Sequence, residues 1–499
     1  MIKRVPILLL SLLHLSFCVL AQNTAGQDSV SITRIPDSVR YAGSVDSSRG
    51  MIMSQPFTSG PIPISGVKSR DAGGDSSLFL SLDQCITYAI NNQPAIRQSL
   101  IGVNIAHLTN QINLSGWLPQ VNVAGTMTHY IEQPTTFVAN TTPGGPPVAT
   151  KTGVINTAIP ELTATQTIFN PQLLYAAKAA PLFIRQAQQN SDSTQIDVVA
   201  NVSKAFYTLL QTLEQISVLK EDTARLNRNV SDTYHQYKGG LVDETDWDEA
   251  VITLNNSLAQ LKQANENVIP EYAALKQLMG FPPQDQFNVS FDTAQMRTDI
   301  GFDTTQELAF DKRIEFQQLQ TQKMLQQRTT DYYKLAYLPT LSAFYDYDYE
   351  FQSNSASNLF SKAYPYSIIG LQLNIPIFTG FSRVRSVHRS KLQEGLLDWE
   401  EVGLKSEIYT EYTTAMANYK GNLYNLTALQ HNEDLARRVY GIVSLQYKQG
   451  VVAYLNVITA ESNLITAEIG YINALFQLLS SRIDLEKSMG YITANKRTK

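Results

Sequence analysis

The residues in this 499-residue chain best suited to chemistry are carboxylates. Asp243, Glu244, Asp246, Asp248 and Glu249 crowd one short stretch, a density that suggests a cation site. Their placement suggests another use. Asp246 stands three residues before Glu249, and Thr245 three before Asp248, at the start of a helical pattern. Such side chains cap free N–H groups and favour the positive end of a helix dipole, without forbidding a second role. Asp346, Asp348 and Glu350 form another set, alternating with Tyr345, Tyr347, Tyr349 and Phe351. The five histidines beyond the N-terminal segment, His107, His129, His235, His388 and His431, stand apart, with no HExxH motif and no Cys/His cluster. No G-x-S-x-G elbow or Walker-type Gly-Lys loop occurs. This pattern predicts no enzyme, no cofactor and no metal centre.

Composition narrows the partners. Net charge is −5 and charged residues are 17% of the chain, below the usual ~25%, with no basic stripe to hold nucleic acid. Lys3 and Arg4, the apolar run from Ile7 to Leu13, and "VLAQ" ending its small-residue site at Ala21 read as a secretory signal over 1–21. Cys18 invites a lipid anchor, but the bulky Phe17 before it disfavours that. Cleavage after Ala21 leaves Cys85 as the one remaining cysteine, so no intrachain disulfide is expected. Beyond the signal no run reaches the ~20 apolar residues of a spanning helix, and a membrane crossing would have to be a β-barrel.

The elements that position these groups recur. Residues 22–77, rich in Ser, Gly, Asp and Pro, read as a flexible leader. After them "GWLPQVNVAGTMTHY" is echoed by "AYLPTLSAFYDYDY", "IFNPQ" by "IFTGF", "QYKGG" by "QYKQG", and "LMGF" by "SMGY". The last two pairs share an offset of 210 residues, as Met279 and Met489 show. The order predicted for each half is helix, strand, strand, long helix, turn, long helix, with halves at 78–280 and 306–492, a connector at 281–305 and a tail at 493–499.

Along 170–238, Val199, Val202, Phe206, Leu209, Leu213, Ile216, Leu219, Thr223, Leu226, Val230, Thr233 and Tyr237 step by threes and fours. That is heptad spacing and predicts coiled-coil helices, the second half keeping the seam except at Glu433. A solid helical hairpin would show the same periodicity. The strand at 340–351 has one apolar-aromatic face and one largely acidic face, as a barrel between lipid and a wet lumen requires; a soluble sandwich edge is the alternative. The first-half strands, about 120–133 and 154–169, alternate less cleanly around an exposed Pro/Gly/Thr loop. Four strands cannot close a barrel, so a barrel would need several chains.

This order, with "LSLDQCITYAINNQPAIRQ", the junctions Leu118-Pro119 and Leu338-Pro339, both turns, and the closing "KQLMGF" and "EKSMGY", resembles the TolC-type outer-membrane efflux proteins over residues 80–491. The resemblance implies a mixed α/β membrane protein: a homotrimer sharing a twelve-stranded β-barrel continuous with a periplasmic helical tunnel. It implies a periplasmic adaptor protein docked on the turns Gly239, Gly240, Leu241, Val242 and Gly450, Val451, Val452, and an inner-membrane transporter supplying energy. It also implies a periplasmic gate. Asp246 and Tyr447 match two of its members; the family's Arg falls on Val452, and its acidic ring falls on Asn456 and Thr459. The duct would export small molecules, with protein secretion and a non-conducting coiled-coil scaffold as alternatives. Asp346, Asp348 and Glu350 would line the lumen.

Overall fold

A computed structural model describes residues 78–140, 145–290, 300–303, 305–493 and the backbone of 496–497. The signal, the leader, Cys18 and parts of the connector and tail lie outside the described residues. The chain opens with β1 (Phe79–Leu80), α1 (Leu82–Asn92) and α2 (Pro94–Leu114). Ser81 and Gln84 close a reciprocal capping box on α1, and Pro94 starts α2 where a missing N–H costs nothing. Then come β2 (Gln120–His129), β3 (Thr135–Val138), β4 (Val148–Lys151), β5 (Asn156–Phe169), α3 (Pro171–Lys238) and α4 (Glu244–Met279). After β6 (Asn288–Val289) the order returns: α5 (Ile314–Leu335), β7 (Thr340–Ser353), β8 (Ala363–Asn374), α6 (Ser382–Lys448) and α7 (Tyr454–Ser488). At 1.5 Å per residue α3, with 68 residues, spans about 100 Å.

Lateral order organises the fold. β2, β5, β7 and β8 form one antiparallel sheet in that order, with β2 and β8 at its edges. Each strand continues directly into a helix: α2 feeds β2, β5 feeds α3, α5 feeds β7 and β8 feeds α6. The helices keep the same neighbours, α2 on α3, α3 on α5 and α5 on α6. Farther along, α4 packs on α3, α3 on α7 and α7 on α6. The main core gathers at mid-height, where β1 pairs in parallel with β6 and α1 lies on α3: Leu80, Ala89, Val202, Phe206, Leu209, Leu275 and Ile483 are all buried there.

The heptad seam of α3 faces inward along its whole length, each position buried or half-buried. In α6 the matching seam leaves Tyr409 and Leu423 exposed, because α5 and α7 cover only part of that helix. Two sequence expectations need correction. The loop around residue 140 contains the β3–β4 hairpin, whose Thr and Val pairs suit a ladder. The helix after the first turn starts at Glu244 with Asp243 as its N-cap, and the Asp243 side chain makes no capping bond. Glu244 and Asp246 therefore act on that helix end through charge.

Both halves close their second hairpin helix on a left-handed glycine, Gly280 (φ 68°) and Gly490 (φ 73°). A Cβ on either would stand 2.7 Å from a backbone oxygen, that of Asn92 or of Lys312. Gly240 has the same backbone sign (φ 70°) and open space around it. Gly280→Ala should thus cost roughly 2 kcal/mol or more, combining strain with a collision, and Gly240→Ala about 1 kcal/mol. Thermal unfolding of the two variants checks the ranking.

Candidate functional site

Strand register turns the partial alternation of single strands into two complete faces. Opposite Asp348 stand Glu161 on β5 and Tyr366 on β8, and opposite Asp346 stand Thr163 and Ile368. The same face carries Asn122, Thr126, Thr165, Thr167, Ser342, Glu350, Gln372 and Asn374. The Tyr366 hydroxyl donates to the Asp348 carboxylate. The other face carries Val121, Val123, Met127, Leu162, Tyr345, Tyr347, Tyr349, Ile369, Leu371 and Leu373. Asp346, Asp348 and Glu350 are thus brought together with Glu161, which lies in a strand whose alternation is too weak to single it out. Phe344 is on the polar face as well, and its ring fills the space beside Gly370 where a side chain would stand.

The two helical turns are built alike. Gly240 N–H donates to Tyr237 O at 2.9 Å and Leu241 N–H to Gln236 O at 2.9 Å; Gly450 and Val451 repeat both bonds to Tyr447 and Gln446, at 2.8 and 2.9 Å. Left-handed Gly240 and Gly450 (φ 70° and 72°) make the reversal possible without Cβ strain. Leu241 and Val451 project into solvent, and Val242 and Val452 are half-buried.

The tips meet each other. The Tyr447 hydroxyl donates to Gln236, so a residue of the second "QYK" frame bonds a residue of the first. Thr233 also bonds Tyr447. Asp246, half-buried in the first turn of α4, makes no direct hydrogen bond to Tyr447 and acts on it through charge. Burial first, and the Asp246 charge second, push the Tyr447 hydroxyl above its usual range. Below it Tyr454, Val457 and Ala250 form a small core with Val230 and Tyr440. Asn456 and Thr459 are exposed at the start of α7. Tyr237, the counterpart of Tyr447, instead stacks on Trp247 at 6.2 Å.

Farther from the tips, charges are buried where α3 meets α7, a feature no sequence motif announced. Arg225 donates to Glu461 at 2.8 Å and to Asp222, Asn229 donates to Glu461 at 2.9 Å, and the guanidinium lies 5.1 Å over the Tyr440 ring. Arg437 on α6 joins Glu433 to Glu468 at 2.8 Å each, which explains why the seam tolerates Glu433. Asp222 and Glu461 are fully buried, and Asp222 Oδ2 has no hydrogen-bond partner. Burial raises the pKa of Asp222 to about 6, with Glu468 and Glu461 adding repulsion and Arg225 opposing; burial raises Glu461 and Glu468 as well.

A raised carboxylate pKa means that the folded chain binds the proton more tightly than the unfolded one. Ionised Asp222 therefore weakens the fold above about pH 6, and that penalty is relieved as pH falls toward its ordinary value of 3.8. Glu401 works oppositely: Lys323 and Lys405 hold it down at about 2, so its contribution is lost only as pH falls below 4.5. Melting temperature should rise between pH 7.5 and 5.5. Asp222→Asn should stabilise the fold at pH 7.5 by on the order of 1 kcal/mol, raising the melting temperature there, and flatten the response. Circular dichroism melts across that range test this, and an unaltered slope in the variant would exclude Asp222 as the source.

Known proteins share this architecture. The family described as "Outer membrane efflux protein" matches residues 85–281 and 308–491. Outer membrane protein TolC of Vibrio cholerae is 20% identical over 314 residues, which cover 62% of this chain and 71% of that protein. VceC of Vibrio cholerae superposes with a TM-score of 0.63 at 14% identity, covering 82% of this chain and 96% of its own. The CmeC outer membrane channel of Campylobacter jejuni gives 0.64 at 18% identity, covering 86% and 92%. The open-state MtrE outer membrane channel of Neisseria gonorrhoeae gives 0.65 at 17%, covering 83% and 90%. CmeC and MtrE are described as outer membrane channels, and TolC and VceC as outer membrane proteins. With the family matched across both halves and the fold shared with outer-membrane channels, the chain belongs to the outer membrane efflux protein family and resides in the outer membrane.

Proposed function

We propose that three copies of this chain form a passive efflux duct: one twelve-stranded barrel in the outer membrane and a helical tunnel reaching into the periplasm. The observation that carries this reading is the pair of matching open edges. Among the described residues the outer edges of β2 and β8 are unpaired, and a neighbouring copy would pair β8 to β2. On the attached edge helices, Ile101, Ile105, Leu108 and Ile112 of α2 stand exposed at heptad spacing, as do Leu392, Leu396 and Trp399 of α6. The same neighbour contact would cover both stripes.

In this assembly the Glu161–Asp348 face lines the lumen and the Tyr345–Tyr349 row meets lipid. The two family matches and the recurring glycine closures support an internal duplication, with halves at 78–280 and 306–492 joined by 281–305. The tips Gly239–Val242 and Gly450–Val452 would dock a periplasmic adaptor, which links the duct to an inner-membrane transporter. Small molecules are the cargo this reading assigns, because the polar strand face offers few apolar surfaces to hold them. The gate would be held by Tyr447 on Gln236 and Thr233 beside Asp246, with Asn456 and Thr459 adding polar but uncharged narrowing. The charged ring of better-known members is absent at those two positions.

Two measurements test this. In planar bilayers the purified oligomer should conduct, and Tyr447→Phe, losing the hydroxyl that meets Gln236 and Thr233 at a cost of about 1 kcal/mol or more, should raise the open fraction at least about five-fold, with Asp246→Ala in the same direction. A silent wild type would refute the duct, and unchanged variants would refute the gate. In membrane insertion, Tyr345→Lys on the lipid face should cost about 2–4 kcal/mol while Thr163→Lys on the lumen face is tolerated. Heat-modifiable migration on gels reads both.

A further inference from the structure

Strand β8 passes to α6 through Ile375-Pro376-Ile377-Phe378-Thr379-Gly380-Phe381. Ile375 and Ile377 carry the outward alternation of Ile369, Leu371 and Leu373 beyond the last strand pair. Ile377 is 90% exposed, Phe378 72% and Phe381 62%, and the two rings meet edge to face at 5.5 Å. Phe381 is also the one non-glycine residue with positive φ (64°) among the described residues, and as N-cap of α6 it makes no capping bond. The corresponding junction from β5 to α3 uses Asn170, in extended backbone, with its side chain capping Gln172 N–H. The second junction thus holds a bulky ring in a disfavoured backbone state and turns it outward. Strain of that kind persists where a contact needs it.

Charge follows immediately. Arg383, Arg385, Arg389 and Lys391 occur with no carboxylate between Pro376 and Gln393. Arg383 donates to Pro376 O at 2.6 Å and lies 4.8 Å over the Tyr337 ring, and Arg389 donates to Tyr333 at 3.2 Å. Arg385 and Lys391 are exposed, and the ion pairs of neighbouring α5 and α6, around Lys323, Asp331 and Glu401, involve none of the four. A second copy would bring α2 alongside, and α2 contains no Asp or Glu. Among the described residues, therefore, none of the four cations has an ion-pair partner, and α2 of the proposed neighbour brings none.

We propose that this junction is an interfacial anchor for anionic phospholipid in the periplasmic leaflet. Ile377, Phe378 and Phe381 enter the acyl boundary, and Arg385 and Lys391 meet headgroup phosphates. The chemistry is that of other membrane rims: aromatic rings settle at the headgroup level, long basic side chains extend to charge from apolar stems, and salt weakens the attraction. The inference rests on the barrel-and-tunnel reading, which places the helices on the periplasmic side.

The test uses the full-length oligomer in vesicles of phosphatidylethanolamine with or without phosphatidylglycerol. Arg385→Gln/Lys391→Gln should lower phosphatidylglycerol retained after extraction by about five-fold per cation, the equivalent of roughly 1 kcal/mol each near an anionic surface. Phosphatidylethanolamine retention should not change, and high salt should give the wild type the variant's behaviour. Phe381→Gly, which suits the backbone and preserves the fold, should weaken retention of both lipids. Equal phosphatidylglycerol retention in wild type and double variant would overturn the proposal. So would separation of the double variant into single chains that retain as much phosphatidylglycerol per chain as the wild type, which would assign the patch to a neighbouring copy. A wild type that fails to insert into either vesicle would instead remove the membrane reading on which the anchor stands.

Discussion

An unpaired backbone edge sets the terms for this molecule. The antiparallel sheet begins at β2 and ends at β8, and among the described residues no strand pairs their outer edges. In a bilayer such groups have no water to bond, so an open four-stranded sheet bearing an aromatic face is viable only when another edge meets it. Because each strand of the four-stranded sheet adjoins a helix directly or through a short connector, and the helices keep the same neighbours, the same incompleteness extends down α2 and α6. Their exposed apolar stripes continue the two open sheet edges.

Where the two helical hairpins meet, the chain changes its means of cohesion. Mid-height packing is apolar and dense around Val202, Phe206 and Ile483. Toward the tips it becomes polar: Arg225 with Asp222 and Glu461, Arg437 with Glu433 and Glu468, then Tyr447 with Gln236. Buried ion pairs are weak sources of net stability, since desolvation offsets most of their attraction, but a lost partner is costly. A seam of this kind holds one register and responds to proton uptake, whereas a leucine seam would do neither. The hairpin end that the proposed function requires to move is thus the end joined by the more labile contacts.

Much of the architecture was legible because it follows from short periods. The heptad steps from Val199 to Tyr237 and the alternation from Leu341 to Phe351 depend only on which residues are apolar and how far apart they stand. The positive-φ glycines of both turns were legible for a similar reason, as left-handed backbone excludes most other residues. The polar contacts were not. Asp222 neighbours an ordinary seam threonine and is bonded by Arg225, whose other partner, Glu461, lies on another helix over two hundred residues away. Local pattern carries no trace of such a pair. Glu161 was hidden likewise, in a strand whose alternation is blurred, until register set it opposite Asp348.

The sequence by itself determined the periods, the turns and the repeated order of elements, since each depends on neighbours within a few residues. Tertiary structure alone decided which side of α3 meets α7, that Tyr447 bonds Gln236 without a direct bond to Asp246, and that Phe381 is held outward against its backbone preference. Those outcomes depend on distances between segments far apart in the chain. Hydrophobic spacing orients a helix face, but it does not choose the polar partner that the opposing helix will present.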